Sequence, residues 1–190
     1  MVHPIVAAAV LTFLGVGSVR AQIDLTPKES FYTVEGIQVP NVTFKNGTNA
    51  ITYTPPSNWL LSGGGSKLTM APRDGVQSGA TIEVQTAHGP VPAAAPENVK
   101  VYSDMAVGLV PREASKVEVV EAIVSSMRIS GKPMIDVTLT YTFFGQPFRM
   151  NVLFMPRERE TLRFQFSSRV GDYPVLAKDF RSSLFSIQGL

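Results

Sequence analysis

The chain has 190 residues, 17 Lys and Arg against 15 Asp and Glu, a formal net charge of +2 and no cysteine. Its positive residues are scattered and interleaved with acids, as in Arg157-Glu158-Arg159-Glu160. That excludes the clustered basic surface that nucleic acid requires. The absence of cysteine removes both a disulfide framework and a lipid-attachment cysteine, so the folded state must rest on packing alone.

Ile5 to Val19 is an apolar run, closed by Val19-Arg20-Ala21 with small residues where a signal peptidase reads. Residues 1–21 are expected to be a secretory signal cleaved after Ala21, although the segment before the run carries no Lys or Arg. The run is too short and too broken by glycine for a span of about 20 apolar residues. No later segment is apolar enough to cross a bilayer, so the expected location is periplasmic or extracellular.

Residues 22–35 are a polar lead-in with little pattern, expected along the surface or partly disordered. One domain is expected over 36–190. Ile37, Val39, Val42 and Phe44 flank Pro40, which predicts an edge strand or a bulge. Asn46-Gly47 is a tight-turn dipeptide, and Ile51-Thr52-Tyr53 opens the partner strand. Pro55-Pro56-Ser57-Asn58 turns the chain into Trp59, the sole tryptophan, read first as a core anchor. Ser62 to Ser66 lacks the Gly-Lys-Ser/Thr ending of a phosphate loop and reads as a flexible hairpin loop. Strands are predicted over 67–71 and 80–86, the second with clean alternation.

The Pro/Ala-rich stretch from His88 to Ala95 leaves the sheet. A helix is predicted from Glu97 or Asn98, with Val99, Tyr102, Met105, Ala106 and Leu109 as one stripe and Pro111 as its end. Val117 to Ile129 mixes helix and strand formers, and strand is chosen because Ser130 to Pro133 turns directly into another. In that next strand Ile135, Val137, Leu139, Tyr141 and Phe143 alternate with Asp136, Thr138, Thr140 and Thr142. After a Gly145-Gln146-Pro147 turn come strands built on Phe148, Met150, Val152 and Phe154, then on Leu162, Phe164 and Phe166. A last helix starts at Asp172 with Pro174 in its first turn and a stripe of Tyr173, Leu176, Phe180, Leu184 and Ile187.

Chemistry-bearing residues are sparse. Once the signal is removed His88 is the only histidine, and zinc needs three or four ligands. No serine sits in a Gly-x-Ser-x-Gly elbow. Glu118, Glu121 and Asp136 are the carboxylates a glycosidase would draw on, but they read as solvent-facing strand residues. The sequons at Asn41 and Asn46 matter only in a eukaryotic secretory route. The methionines and phenylalanines from Phe143 to Phe166 read as core filling. Arg149 and Arg163, if neighbours, would form a modest anion- or partner-binding patch.

Three local features sharpen the pattern: Ile51-Thr52-Tyr53 with Pro55-Pro56 and Trp59, the Ser130-Gly131-Lys132-Pro133 turn between strands, and the run Asp179 to Ser186 in the last helix. Together they resemble the PsbP/Mog-type superfamily, from about Gly36 to Ile187. The resemblance implies an α+β fold, an α/β/α sandwich with a central antiparallel sheet and helices packed on both faces. It carries no catalytic residue, cofactor or metal, because its members act by binding other proteins. The expected function is a secreted or periplasmic non-enzymatic protein-binding or accessory domain, with Trp59, Arg149 and Arg163 as candidate partner-binding residues. A carrier of a small apolar ligand is the alternative, and a hydrolase ranks last.

Overall fold

In a computed structural model, residues 23–190 are described; the expected signal lies outside them. Ten strands, all paired antiparallel, form two sheets. The smaller has the order β1 (Ile23–Val34), β2 (Ile37–Asn46), β3 (Asn49–Tyr53). The larger comprises β4 (Trp59–Gly64), β5 (Lys67–Pro72), β6 (Ser78–Thr86), β7 (Ser115–Val124), β8 (Ile135–Phe143), β9 (Gln146–Pro156) and β10 (Glu160–Arg169). Its order is β4-β5-β6-β10-β9-β8-β7. Helices α1 (Val99–Val107) and α2 (Tyr173–Leu184) flank it.

The expectation of a single sheet is corrected here. The polar lead-in is β1, and the missed strand has a simple cause. Only Ile23 and Leu25 at its start are buried, while Phe31 to Val34 are exposed. A strand exposed on both faces needs no alternation, so periodicity is silent. Pro40 sits where β2 has β1 on one side and no partner on the other, because β3 pairs only from Val42 to Asn46. The missing N–H therefore breaks no β2–β3 bond.

The large sheet is covered diagonally. In β9, Leu153 and Met155 join one apolar cluster and Met150, Val152 and Phe154 join another. Successive strand residues point to opposite faces, so the clusters lie on opposite sides of the sheet. On the first face α2 and the small sheet cover Leu68, Met70, Ile82, Phe164 and Phe166. On the second face α1 places Tyr102 and Ala106 over Ile135, Val137, Leu139 and Val152. Met105, expected in that stripe, is exposed, because the helix ends at Val107 and its buried strip is narrow.

The two apolar clusters leave one half of each face polar. On the first face Thr138, Thr140, Arg149 and Asn151 lie over β8 and β9. On the second Thr81, Glu83, Arg163 and Gln165 lie over β6 and β10.

Two of the motifs noted in the sequence lock onto each other. Trp59 stacks on Phe180 with ring centroids 6.3 Å apart and approaches Phe166 at 6.1 Å. The Tyr53 hydroxyl shares a 2.8 Å hydrogen bond with Ser183, and the Thr54 N–H donates to Ser186 Oγ at 2.8 Å. Arg181 donates to Asp136 Oδ2 at 2.8 Å and to Asn151 Oδ1 at 2.9 Å, tying α2 to the sheet. Gln188 then pairs with Thr52 through both backbone groups, adding a bridge to the free side of β3. Gly189 closes against Ala50 with φ +82, where any Cβ would collide with the Ala50 carbonyl.

Trp59→Ala is expected to cost about 3–5 kcal/mol of unfolding free energy, since it empties a core aromatic site. Gly189→Ala is expected to destabilise as well, through the collision with Ala50. Urea titration followed by far-UV circular dichroism measures both, and an unchanged midpoint for Trp59→Ala would contradict the lock.

Candidate functional site

On the second face, where the α1-covered half meets the bare half, the structure opens into a cleft of about 660 Å³. Four aromatic rings from one hairpin make its wall. β8 ends at Phe143, paired with Gln146, so Phe144 and Gly145 alone form the turn. Both have positive φ, +46 at Phe144 and +74 at Gly145. That pattern fits a two-residue hairpin turn of the primed kind, whose first position favours Asn, Asp or Gly. An aromatic residue there bears about 1–2 kcal/mol of steric cost. It is also 80% exposed. A strained, exposed phenylalanine at a loop tip points toward function, since strain persists where the site uses it.

Phe144 leans on Phe143 at 4.3 Å between centroids, and Phe143 meets Phe148 edge-on at 6.1 Å. Tyr141 stacks on Phe148 at 5.5 Å. Cross-strand pairing fixes this order, because Tyr141 lies opposite Phe148 in the β8–β9 ladder. The floor is polar: Ser78, Gly79 and Ser167 come from β6 and β10. The Tyr141 hydroxyl shares a 2.7 Å bond with Ser167 Oγ. Burial pushes the Tyr141 phenol above its ordinary pKa, and the Ser167 bond works against that. Arg169 closes one end, donating from Nε and Nη2 to Gln77 Oε1 at 3.0 and 2.8 Å. Pro111, beyond the end of α1, also lines the cleft.

The residues singled out in the sequence fall elsewhere. Trp59 is 6% exposed and belongs to the core, so its ring is not presented to a partner. Arg149 and Arg163 are not neighbours. Arg163 lies opposite Phe154 on the second face, while Arg149 shares the first face with Asn151 and Leu153. Arg149 is half-buried, with its guanidinium 5.2 Å over the Tyr173 ring. Arg163 is buried and donates to Glu83 Oε2 at 2.6 Å. Burial lowers the Arg163 pKa and Glu83 opposes the shift.

Asp136 is a correction. It is buried rather than solvent-facing, accepting from Asn151 and Arg181 under the edge of α2. Its face of β8 is the one on which α2 packs, so alternation alone misjudged its exposure. Glu118 and Glu121 are exposed on β7, at the sheet edge. His88 is exposed in the connector. Among the described residues no group of three His, Cys, Asp or Glu is placed to hold a metal ion. Ser62 to Gly64 belong to β4, and only Gly65 and Ser66 turn. The aromatic cleft was missed, although Phe144 before Gly145 was a signal: a bulky residue where a hairpin wants Asn.

A small pocket at the contact of the two sheets, lined by Leu25, Phe44, Tyr53 and Phe164 among others, measures about 10 Å³. No described helix is long and apolar enough to cross a membrane.

No protein-family model matches the sequence, and no curated protein matches it. Several solved structures are similar in chain trace, three of them as follows. One is the protein of unknown function PA94 from Pseudomonas aeruginosa, at 12% identity and a TM-score of 0.48, covering 85% of this chain and 97% of that one. Another comes from Bacteroides thetaiotaomicron, at 11% identity and a TM-score of 0.46, covering 74% of this chain and 45% of that one. The third is the solution structure of cyanobacterial PsbP (CyanoP) from Synechocystis, at 10% identity and a TM-score of 0.47, covering 95% and 99%. No residue role is carried across from any of them.

Phe144→Asn is expected to raise stability by about 1–2 kcal/mol by relieving the positive-φ cost. Equilibrium unfolding against the unmodified protein measures this, and a loss of stability would show that the ring is a structural prop instead.

Proposed function

We propose that this chain is a non-enzymatic protein-binding module that works outside the cytoplasm and takes its partner at the aromatic cleft. The observation that carries this reading is Phe144, held exposed at a strained turn beside Tyr141, Phe143 and Phe148. Aromatic side chains with an arginine beside them make the anchors of protein interfaces, because they bury much area at little entropic cost. Arg169 supplies the cation: its guanidinium bonds the neutral Gln77 and makes no ion pair with a described carboxylate. The favoured partner segment is therefore apolar with an acidic residue beside the apolar contact.

The small-ligand carrier is disfavoured by the interior. A pocket for such a ligand measures about 300–1,000 Å³ and encloses most of it. The pocket between the sheets is about 10 Å³, and the cleft, though about 660 Å³, is open to solvent and does not enclose what it holds. The extracytoplasmic setting rests on the apolar run ending at Ala21.

The protein isolated from its own host's envelope and culture medium is expected to begin at Gln22 by intact-mass measurement. Native mass spectrometry of that material is expected to show a co-purifying protein at fixed stoichiometry, lost in Phe144→Ala. A bound mass of a few hundred daltons in place of a protein would overturn the reading in favour of a carrier.

A further inference from the structure

The β1–β2 hairpin runs past the end of β3. From Phe31 to Gln38 every residue is exposed, and β2 meets no β3 partner before Val42. This is a two-stranded arm, a form that is marginal alone in water. Its ladder pairs Tyr32 with Val39 and Val34 with Ile37. Cross-strand partners share a face, so these four side chains make one apolar strip, with Ile37 69% exposed. Glu35 and Gly36 form the tip, both at positive φ. The strip has no partner among the described residues, and the tip beside it is acidic.

The cleft is its chemical complement: aromatic walls, and an arginine with no described carboxylate partner. The two features sit apart in one molecule. β1 is tied at its start by Leu25 N–H to the Gly65 carbonyl, at the β4–β5 turn. The hairpin packs on the first face of the large sheet through Ile23, Leu25 and Val42, whereas the cleft opens on the second face beside Tyr141 and Phe148. We propose that the arm of one copy inserts its tip into the aromatic cleft of a second copy, with Val34 and Ile37 against Phe144 and Phe148 and Glu35 paired to Arg169. This rests on the reading of the cleft as the binding surface. The contact is heterologous, so copies join head to tail and mass grows with concentration.

Sedimentation velocity on the protein isolated from its own host tests this. The weight-average mass is expected to rise above one copy with concentration. Ile37→Asp (arm) and Phe144→Ala (cleft) are each expected to weaken association about tenfold or more. Mixing the two variants is the sharper experiment. Each retains one good half, so together they are expected to form a complex that stops at two copies. Glu35→Lys and Arg169→Glu are expected to weaken association singly and to restore it when combined in one chain.

A single copy at all concentrations overturns the proposal, as does association that survives both Ile37→Asp and Phe144→Ala. If a different protein is lost from Phe144→Ala while the unmodified chain stays single, the cleft reading stands and this one falls. Far-UV circular dichroism confirms that each variant is folded before its mass is read.

Discussion

The lock between the Ile51–Trp59 segment and the end of α2 holds the architecture together. Trp59 brings β4 against Phe180 of α2 and Phe166 of β10. Tyr53 and Thr54 bring the small sheet to Ser183 and Ser186. The last turn of α2 and the residues just past it thus hold two sheets, by stacking through Phe180 and by hydrogen bonding through Ser183 and Ser186. The Tyr53 hydroxyl is deeply buried, and burial pushes its pKa above the ordinary phenol range. It stays neutral and donates or accepts without a charge to solvate. Arg181, between Phe180 and Ser183 in the sequence, adds the bond to Asp136 and Asn151.

Once α2 is seated, the placement of everything else follows from alternation in β9. Every residue from Met150 to Met155 is buried, including Asn151. Such a strand must be covered on both sides. α2 and the small sheet take one side, so α1 must take the other, and the β6–α1–β7 connection carries the chain across to reach the far edge of the sheet. Each helix is too short to cover seven strands. Each face turns polar beyond its apolar half, and the cleft opens where the apolar half of the second face gives way to the polar half.

That diagonal arrangement explains why the surface chemistry is concentrated as it is. The β8–β9 hairpin emerges from the apolar half with its aromatic side chains continuing past the end of α1. Tyr141 and Phe148 are still buried, whereas Phe144 at the tip is not. The core therefore runs out into solvent as a row of rings, braced below by Ser167 and flanked by Arg169. The arm formed by β1 and β2 is another place where apolar side chains reach solvent in a row. Its cause is different: there the sheet has only two strands, and no described residue lies against its apolar face.

Much of the fold was legible before any coordinates. β8, β9 and β10 follow from alternation, α2 from a stripe with Pro174 in the first turn, and strand over the ambiguous stretch from the Ser130–Pro133 turn, although β7 stops at Val124, short of the expected Ile129. Those strands carry their apolar residues chiefly on one face and α2 on one stripe, and that leaves a period in the sequence. What escaped has equally physical reasons. β1 buries only its first residues, so it leaves no period. Asp136 alternates like a surface residue but lies beneath α2, and Arg149 and Arg163 differ in face by the register of β9 against β10. The sequence alone determined which residues alternate and where the chain turns, because local backbone geometry and side-chain size decide those. Only the tertiary structure decided which side of the sheet each element covers, that Trp59 is enclosed and that Phe144 is free, because exposure depends on what another part of the chain lays on top.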